Sequence, residues 1–154
     1  MSVNLKDLRD YVVVPALKEI GLYSKASMRL VIGTGIVESG FHHLHQVNGP
    51  ALGFYQMEPA TYHDIWGNYL LFKLPLAQKL NAFNLDYKDE KQLVWNLKYA
   101  SAMCRIHYLR VKKPLPDNDD ILGMAHYWKD YYNTRLGKGT VDDFLNKASV
   151  VLEL

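Results

Sequence analysis

The chain has 154 residues, 49% hydrophobic and 22% charged, the balance of one ordinary globular domain whose core can form without metal or disulfide staples. A net charge of +2, from 18 Lys+Arg against 16 Asp+Glu, with no basic cluster, excludes nucleic acid as the expected partner. One cysteine, Cys104, excludes an internal disulfide framework, and no apolar run approaches the roughly 18 residues of a membrane span.

The N-terminal Met-Ser-Val-Asn-Leu-Lys-Asp lacks the basic-then-apolar pattern of a secretory signal. Leu5, Leu8, Val12, Ala16 and Ile20 recur at steps of three or four over residues 4–22, one face of a helix. Pro15 within that pattern predicts a kink or two shorter helices, and Gly21 predicts the stop. Ser24 is placed to cap a second helix running through Leu30 and Val31 to Glu38. Gly33 and Gly35 weaken that helix by about 1 kcal/mol each relative to Ala, which points to close packing of another segment.

Residues 39–57, with Gly40, Asn48, Gly49, Pro50 and Gly53, read as loop with a short extended piece near 54–57. Pro59 suits the first turn of a short helix toward Trp66. The stretch 67–89 is ambiguous and Pro75 breaks it. Leu93, Leu97, Ala100, Cys104, His107 and Val111 then trace a stronger helix. Pro114–Asp120 reads as a turn in which Asp117 or Asn118 caps the next helix, carrying Ile121, Ala125, Trp128 and Tyr132. After a loop ending at Gly137 and Gly139, Thr140 with Asp143 makes a capping-box-like start for a last helix. Its apolar face is Val141, Phe144, Leu145, Ala148 and Leu152. No repeat, low-complexity tract or linker interrupts the chain. The expectation is a single, mainly α domain over residues 1–154.

The chemistry-bearing stretch is 37–66. Glu38 ends an apolar helix, where partial shielding from water would raise its pKa toward the range a general acid needs at neutral pH. His42, His43 and His45 are a tempting cluster, but there are no paired cysteines and no His-Glu-x-x-His helix. No metal and no other cofactor is expected. His107 and Cys104 lie on an apolar helical stripe and read as core residues. No Gly-x-Ser-x-Gly elbow, Cys-His signature or phosphate-binding glycine loop appears.

Glu38-Ser39-Gly40-Phe41, then Gly53-Phe54-Tyr55-Gln56, then Pro59-Ala60-Thr61 resembles the core of the lytic transglycosylases and goose-type lysozymes. That family shows Glu-Ser-x-Phe, a loop, Gly-Leu-Met-Gln and Pro-Ala-Thr. Gln56 follows Glu38 by 18 residues, a spacing the family shares. Downstream, Tyr108-Leu109 resembles a family Tyr-Leu pair. Ala125-His126-Tyr127-Trp128 stands where the family has Ala-Tyr-Asn, one residue out of step and without the Asn. The resemblance covers roughly residues 24–135.

What the resemblance implies is a lysozyme-like fold with a small irregular β element near residues 40–57. It implies cleavage of the β-1,4 bond between N-acetylmuramic acid and N-acetylglucosamine of peptidoglycan, with Glu38 as acid and base. Ser39, Gly53, Tyr55, Gln56, Met57 and Tyr127 would contact substrate. Tyr127 would also orient Glu38, with His126 a second claimant. Gly53 would let the backbone approach a sugar, Gln56 offers a donor and an acceptor, and Ser39 could bond the 2-acetamido group. Glu58 and Asp64 are the nearest candidates for a second carboxylate, Glu58 reading more as a capping residue. Lyase and hydrolase outcomes both stay open.

The stretch 49–66 also resembles small wall-degrading proteins of bacteriophages. That implies action in the periplasm or cell wall, from a phage particle or an infected host, with peptidoglycan and other particle proteins as partners. The rival reading is a non-catalytic peptidoglycan-binding or virion structural protein with a vestigial cleft.

Overall fold

The computed structural model describes residues 3–83, 85–134 and 136–154. Met1, Ser2, Asn84 and Arg135 lie outside that description, as do the first two residues of the N-terminal reading and the last of the resembling stretch.

The chain opens on one helical rod. Asn4 caps α1 (Leu5–Leu8) by accepting from Lys6 N and Asp7 N, a π turn spans Arg9–Val13, and α2 (Val14–Glu19) completes it. Pro15 sits in the first turn of α2. The ladder loosens just ahead of it, with Val14 N donating to Arg9 O, so the missing proline N–H is absorbed by a π turn rather than by a break. Gly21, at φ 71°, ends the rod.

Ser24 caps α3 (Lys25–Glu38) in a capping box with Ser27. Every residue of α3 from Ser27 to Gly35 is buried. Such a helix belongs in the middle of a core, and α3 packs against α2 and against the later helices Leu97–Leu109, Ile121–Trp128 and Val141–Ala148. Its glycines make the room: a Cβ at Gly33 would sit 2.7 Å from Phe144 Cζ, and one at Gly35 would collide with the Phe41 ring. Arg29 ties two later segments to this helix, donating to Asn118 O (2.7 Å) and to Leu152 O near the C-terminus (3.0 Å).

After α3 the chain forms a loop closed by two isolated antiparallel bridges, His45 with Leu52 and Leu52 with Met57. There is no strand among the described residues; the expected β element is reduced to these bridges. Pro59 opens α4 (Pro59–Asn68). A 3-10 turn follows at Leu70–Phe72, then α5 (Leu74–Leu80). Pro75 therefore starts a helix in the ambiguous stretch instead of breaking one.

The expected long helix from Leu93 to Val111 is two: α6 (Gln92–Trp95) and α7 (Leu97–Leu109). Asn96 leaves helical geometry at ψ 87° and accepts from Tyr99 N as the cap of α7. Heptad-like spacing survives such a break because both pieces face the same core. α8 (Ile121–Trp128) is capped by Asp120, which accepts from Gly123 N, rather than by Asp117 or Asn118. A π turn at Lys129–Asn133 replaces the continuation of α8 to Tyr132. Thr140 and Asp143 form the expected capping box of α9 (Val141–Ala148), and a 3-10 turn spans Ser149–Glu153. The chain is mainly helical around one hydrophobic cluster reaching from Leu8 to Val151.

Candidate active site

Glu38 is the last residue of α3. The helix stops there because Gly40 takes φ 62° and returns its N–H to Gly35 O and Ile36 O, both at 3.0 Å, closing the last turn with a left-handed cap. The Glu38 carboxyl is left at the edge of the core. Trp128 Nε1 donates to its Oε1 at 2.9 Å. Burial pushes its pKa from 4.5 up to about 7, and the Trp128 hydrogen bond opposes part of that rise. A group so poised is both proton donor and proton acceptor near neutral pH.

Trp128 is itself fixed. It is 1% exposed, its ring lies 5.7 Å from the ring of Phe144, and Gly139 passes so close that a Cβ there would meet the indole at 2.5 Å. α8, α9 and the loop between them thus hold one N–H on one carboxyl oxygen.

Glu38 opens into a cleft of about 860 Å³, also lined by Gln56, Glu58, Thr61, His107 and Tyr132, a volume suited to a small ligand. Gln56 holds its backbone at φ 48° and donates from Nε2 to Gly53 O (2.9 Å); one amide both shapes the loop and faces the cleft. Met57 lines the cleft as expected. Glu58 does too, and at the N-cap position of α4 its side chain makes no capping bond, so the capping role expected of it is replaced by a cleft-facing one.

Several expected site residues lie elsewhere. Tyr127 donates its hydroxyl to Lys113 O at 2.9 Å, and the neighbouring Trp128 takes the contact with Glu38. The register of α8 decides this: one step along the helix turns a side chain by about 100°. Ser39 is 7% exposed; its hydroxyl lies 2.6 Å from Phe54 O and accepts from Phe41 N at 3.0 Å. It pins the loop, its single O–H spent on backbone carbonyls. Gly53, at φ 74° and absent from the cleft lining, stands where a Cβ would strike the Leu93 carbonyl.

Tyr55 is 3% exposed, with its hydroxyl 2.8 Å from Ser101 Oγ and its carbonyl accepting from Tyr132 at 2.6 Å. It is a core residue behind the cleft wall. Asp64 is outside the cleft lining, ion-paired to Arg110 (2.7 Å) and bonded by Asn68 (2.6 Å); these partners hold its carboxyl below the usual range.

Of the histidines, His43 lines the cleft, while the His45 ring bonds Gln46 O (3.0 Å) and His42 stands 6.4 Å from His43. Among the described residues no three His, Cys, Asp or Glu side chains converge as a metal would require. Two neighbours of the candidate site escaped the sequence: Trp128, read as out of register, which bonds Glu38, and His107, read as core, which lines the cleft. Comparison with protein-family models, with curated protein sequences and with solved structures finds no match to this chain.

Proposed function

We propose that this protein cleaves the β-1,4 bond between N-acetylmuramic acid and N-acetylglucosamine in bacterial peptidoglycan, with a lysozyme-like arrangement of helices around the cleft. The observation that carries the reading is Glu38: a carboxyl at about 7, held by an indole N–H at 2.9 Å, on the wall of the large cleft. It stands at the position the Glu-Ser-x-Phe resemblance assigns to the catalytic acid.

The chemistry follows from one carboxyl. Protonated Glu38 gives its proton to the glycosidic oxygen as the bond from the anomeric carbon to that oxygen breaks. The acetamido carbonyl oxygen of the same sugar bonds the anomeric carbon, so no protein nucleophile is needed. Glu38, now a carboxylate, takes a proton from the attacking hydroxyl, and that oxygen displaces the acetamido group. The sugar's own 6-hydroxyl gives a 1,6-anhydro end; water, for which Glu58 is the cleft carboxylate available as a positioning group, gives a reducing end. The resemblance to phage wall-degrading proteins supports a reading in which the activity works in the periplasm or cell wall, from a phage particle or an infected host, with other particle proteins as further partners.

The test is digestion of purified sacculi followed by mass spectrometry of the soluble fragments, which reads activity and bond type together. Glu38→Gln keeps the shape and the Trp128 hydrogen bond but cannot carry the proton, and is expected to lose at least about 100-fold. Asp64→Asn, outside the cleft, is expected to stay near wild type, and Glu58→Gln to matter only if the product is a reducing end. Wild-type solubilisation by Glu38→Gln overturns the reading. Sacculi bound but left intact by the wild-type protein would favour the non-catalytic alternative.

A further inference from the structure

His107 is a cleft residue whose polar edge the protein does not fully use. It lies in α7 with its ring 4.6 Å from that of Tyr132, which also lines the cleft. Its Nδ1 is buried and has no hydrogen-bond partner among the described residues. A stranded buried N–H is more costly than a stranded lone pair, so the ring proton belongs on Nε2, leaving that nitrogen to reach the cleft. Burial and the Arg110 guanidinium keep the ring neutral, with its pKa pushed down to about 4 despite Asp64 nearby. The cleft wall therefore offers one neutral donor beside an aromatic surface. A carbonyl carrying a methyl group satisfies both features, the oxygen on the N–H and the methyl on the ring.

Resting on the glycan reading above, we infer that His107 is a substrate-recognition residue, its Nε2–H donating to the acetamido carbonyl of an N-acetylhexosamine whose methyl packs on Tyr132. It acts by binding and takes no part in proton transfer, which remains with Glu38. The arrangement would select acetylated over de-N-acetylated glycan.

The test titrates tri-N-acetylchitotriose into the Glu38→Gln protein, so that no turnover intervenes, and follows the His107 ring nitrogens by long-range 1H–15N NMR. The free protein is expected to show the Nε2-protonated tautomer, and its ring signals to shift along the same saturation curve as the cleft backbone amides. His107→Phe, which keeps a ring against Tyr132, should weaken binding about 3- to 10-fold, the worth of one neutral hydrogen bond. His107→Gln, restoring a donor, should recover part of it. Ring signals unmoved at saturation, or undiminished affinity in both variants, overturn the inference while leaving the Glu38 reading to stand on the sacculus assay. A trisaccharide that does not bind at all overturns it as well. Rapid digestion of sacculi by Glu38→Gln would instead remove the catalytic reading on which it rests.

Discussion

The raised pKa of Glu38 is a statement about stability as well as about catalysis. In the unfolded chain the carboxyl titrates near 4.5; in the folded protein it titrates at about 7. Between those values the folded state binds the extra proton, so stability is fully present below about 4.5 and is lost as pH rises toward and through 7. At roughly 1.36 kcal/mol per pKa unit, the gap amounts to about 3 kcal/mol of destabilisation in the ionised protein at pH 8. Glu38→Gln removes the titration while its amide oxygen can still accept from Trp128 Nε1. The variant should therefore gain stability relative to wild type progressively from pH 4.5 to 8, by about 3 kcal/mol across that range. Urea unfolding of both proteins at several pH values measures this, and taking the difference cancels the other titrating groups. A difference that stays constant to within about 0.5 kcal/mol, well inside the expected change, refutes the argument: the carboxyl would then be as well solvated in the folded protein as in the unfolded one.

Three further outcomes follow from the same geometry. Trp128→Phe removes the only hydrogen bond on the Glu38 carboxyl among the described residues and should move its titration further upward, seen by 13C NMR of the side-chain carboxyl; turnover should fall by roughly tenfold to a thousandfold, as when a positioning donor is lost, and an unmoved titration would refute the role of the indole. Tyr127→Phe breaks the bond to Lys113 O and should cost about 1 kcal/mol of stability while leaving turnover near wild type in the sacculus assay; a large loss of turnover would return the orienting role to Tyr127. Activity should survive a chelator because the proposed steps use only protons and the substrate's amide; loss restored by added zinc would bring His42, His43 and His45 back as ligands.

The local signals in the sequence were those that act through neighbouring residues. The Ser24 and Thr140 caps, the Pro59 start and the apolar run of α3 ending at Glu38 all appear in the structure, because a cap or a first-turn proline needs only the next few residues to do its work. That a carboxyl stands at the end of a buried helix could be read from the same run. Boundaries fared less well for a related reason. Asp120 caps α8 in place of Asp117 or Asn118, and Asn96 breaks an apolar spacing that runs on past it; both outcomes depend on how α7 and α8 pack, which spacing along the chain does not contain.

The site itself was only half legible. Glu38, Gln56 and Met57 were named from the motif and do line the cleft, yet Ser39, Gly53 and Tyr55 from the same motif serve the loop and the core. A short motif records which residues build a turn and which face a ligand without distinguishing them, since both must be present for the loop to close. The choice of Trp128 over Tyr127 was made by the rotation of α8 against α9, through Phe144 and Gly139. His107 meets the cleft beside Tyr132, which the π turn at Lys129–Asn133 carries against its ring. Sequence alone therefore determined that a helix would deliver one carboxyl to the edge of the core. Tertiary packing decided which N–H holds that carboxyl and which polar groups share its cleft, because those neighbours come from separate segments, Glu38 and Trp128 standing 90 positions apart along the chain.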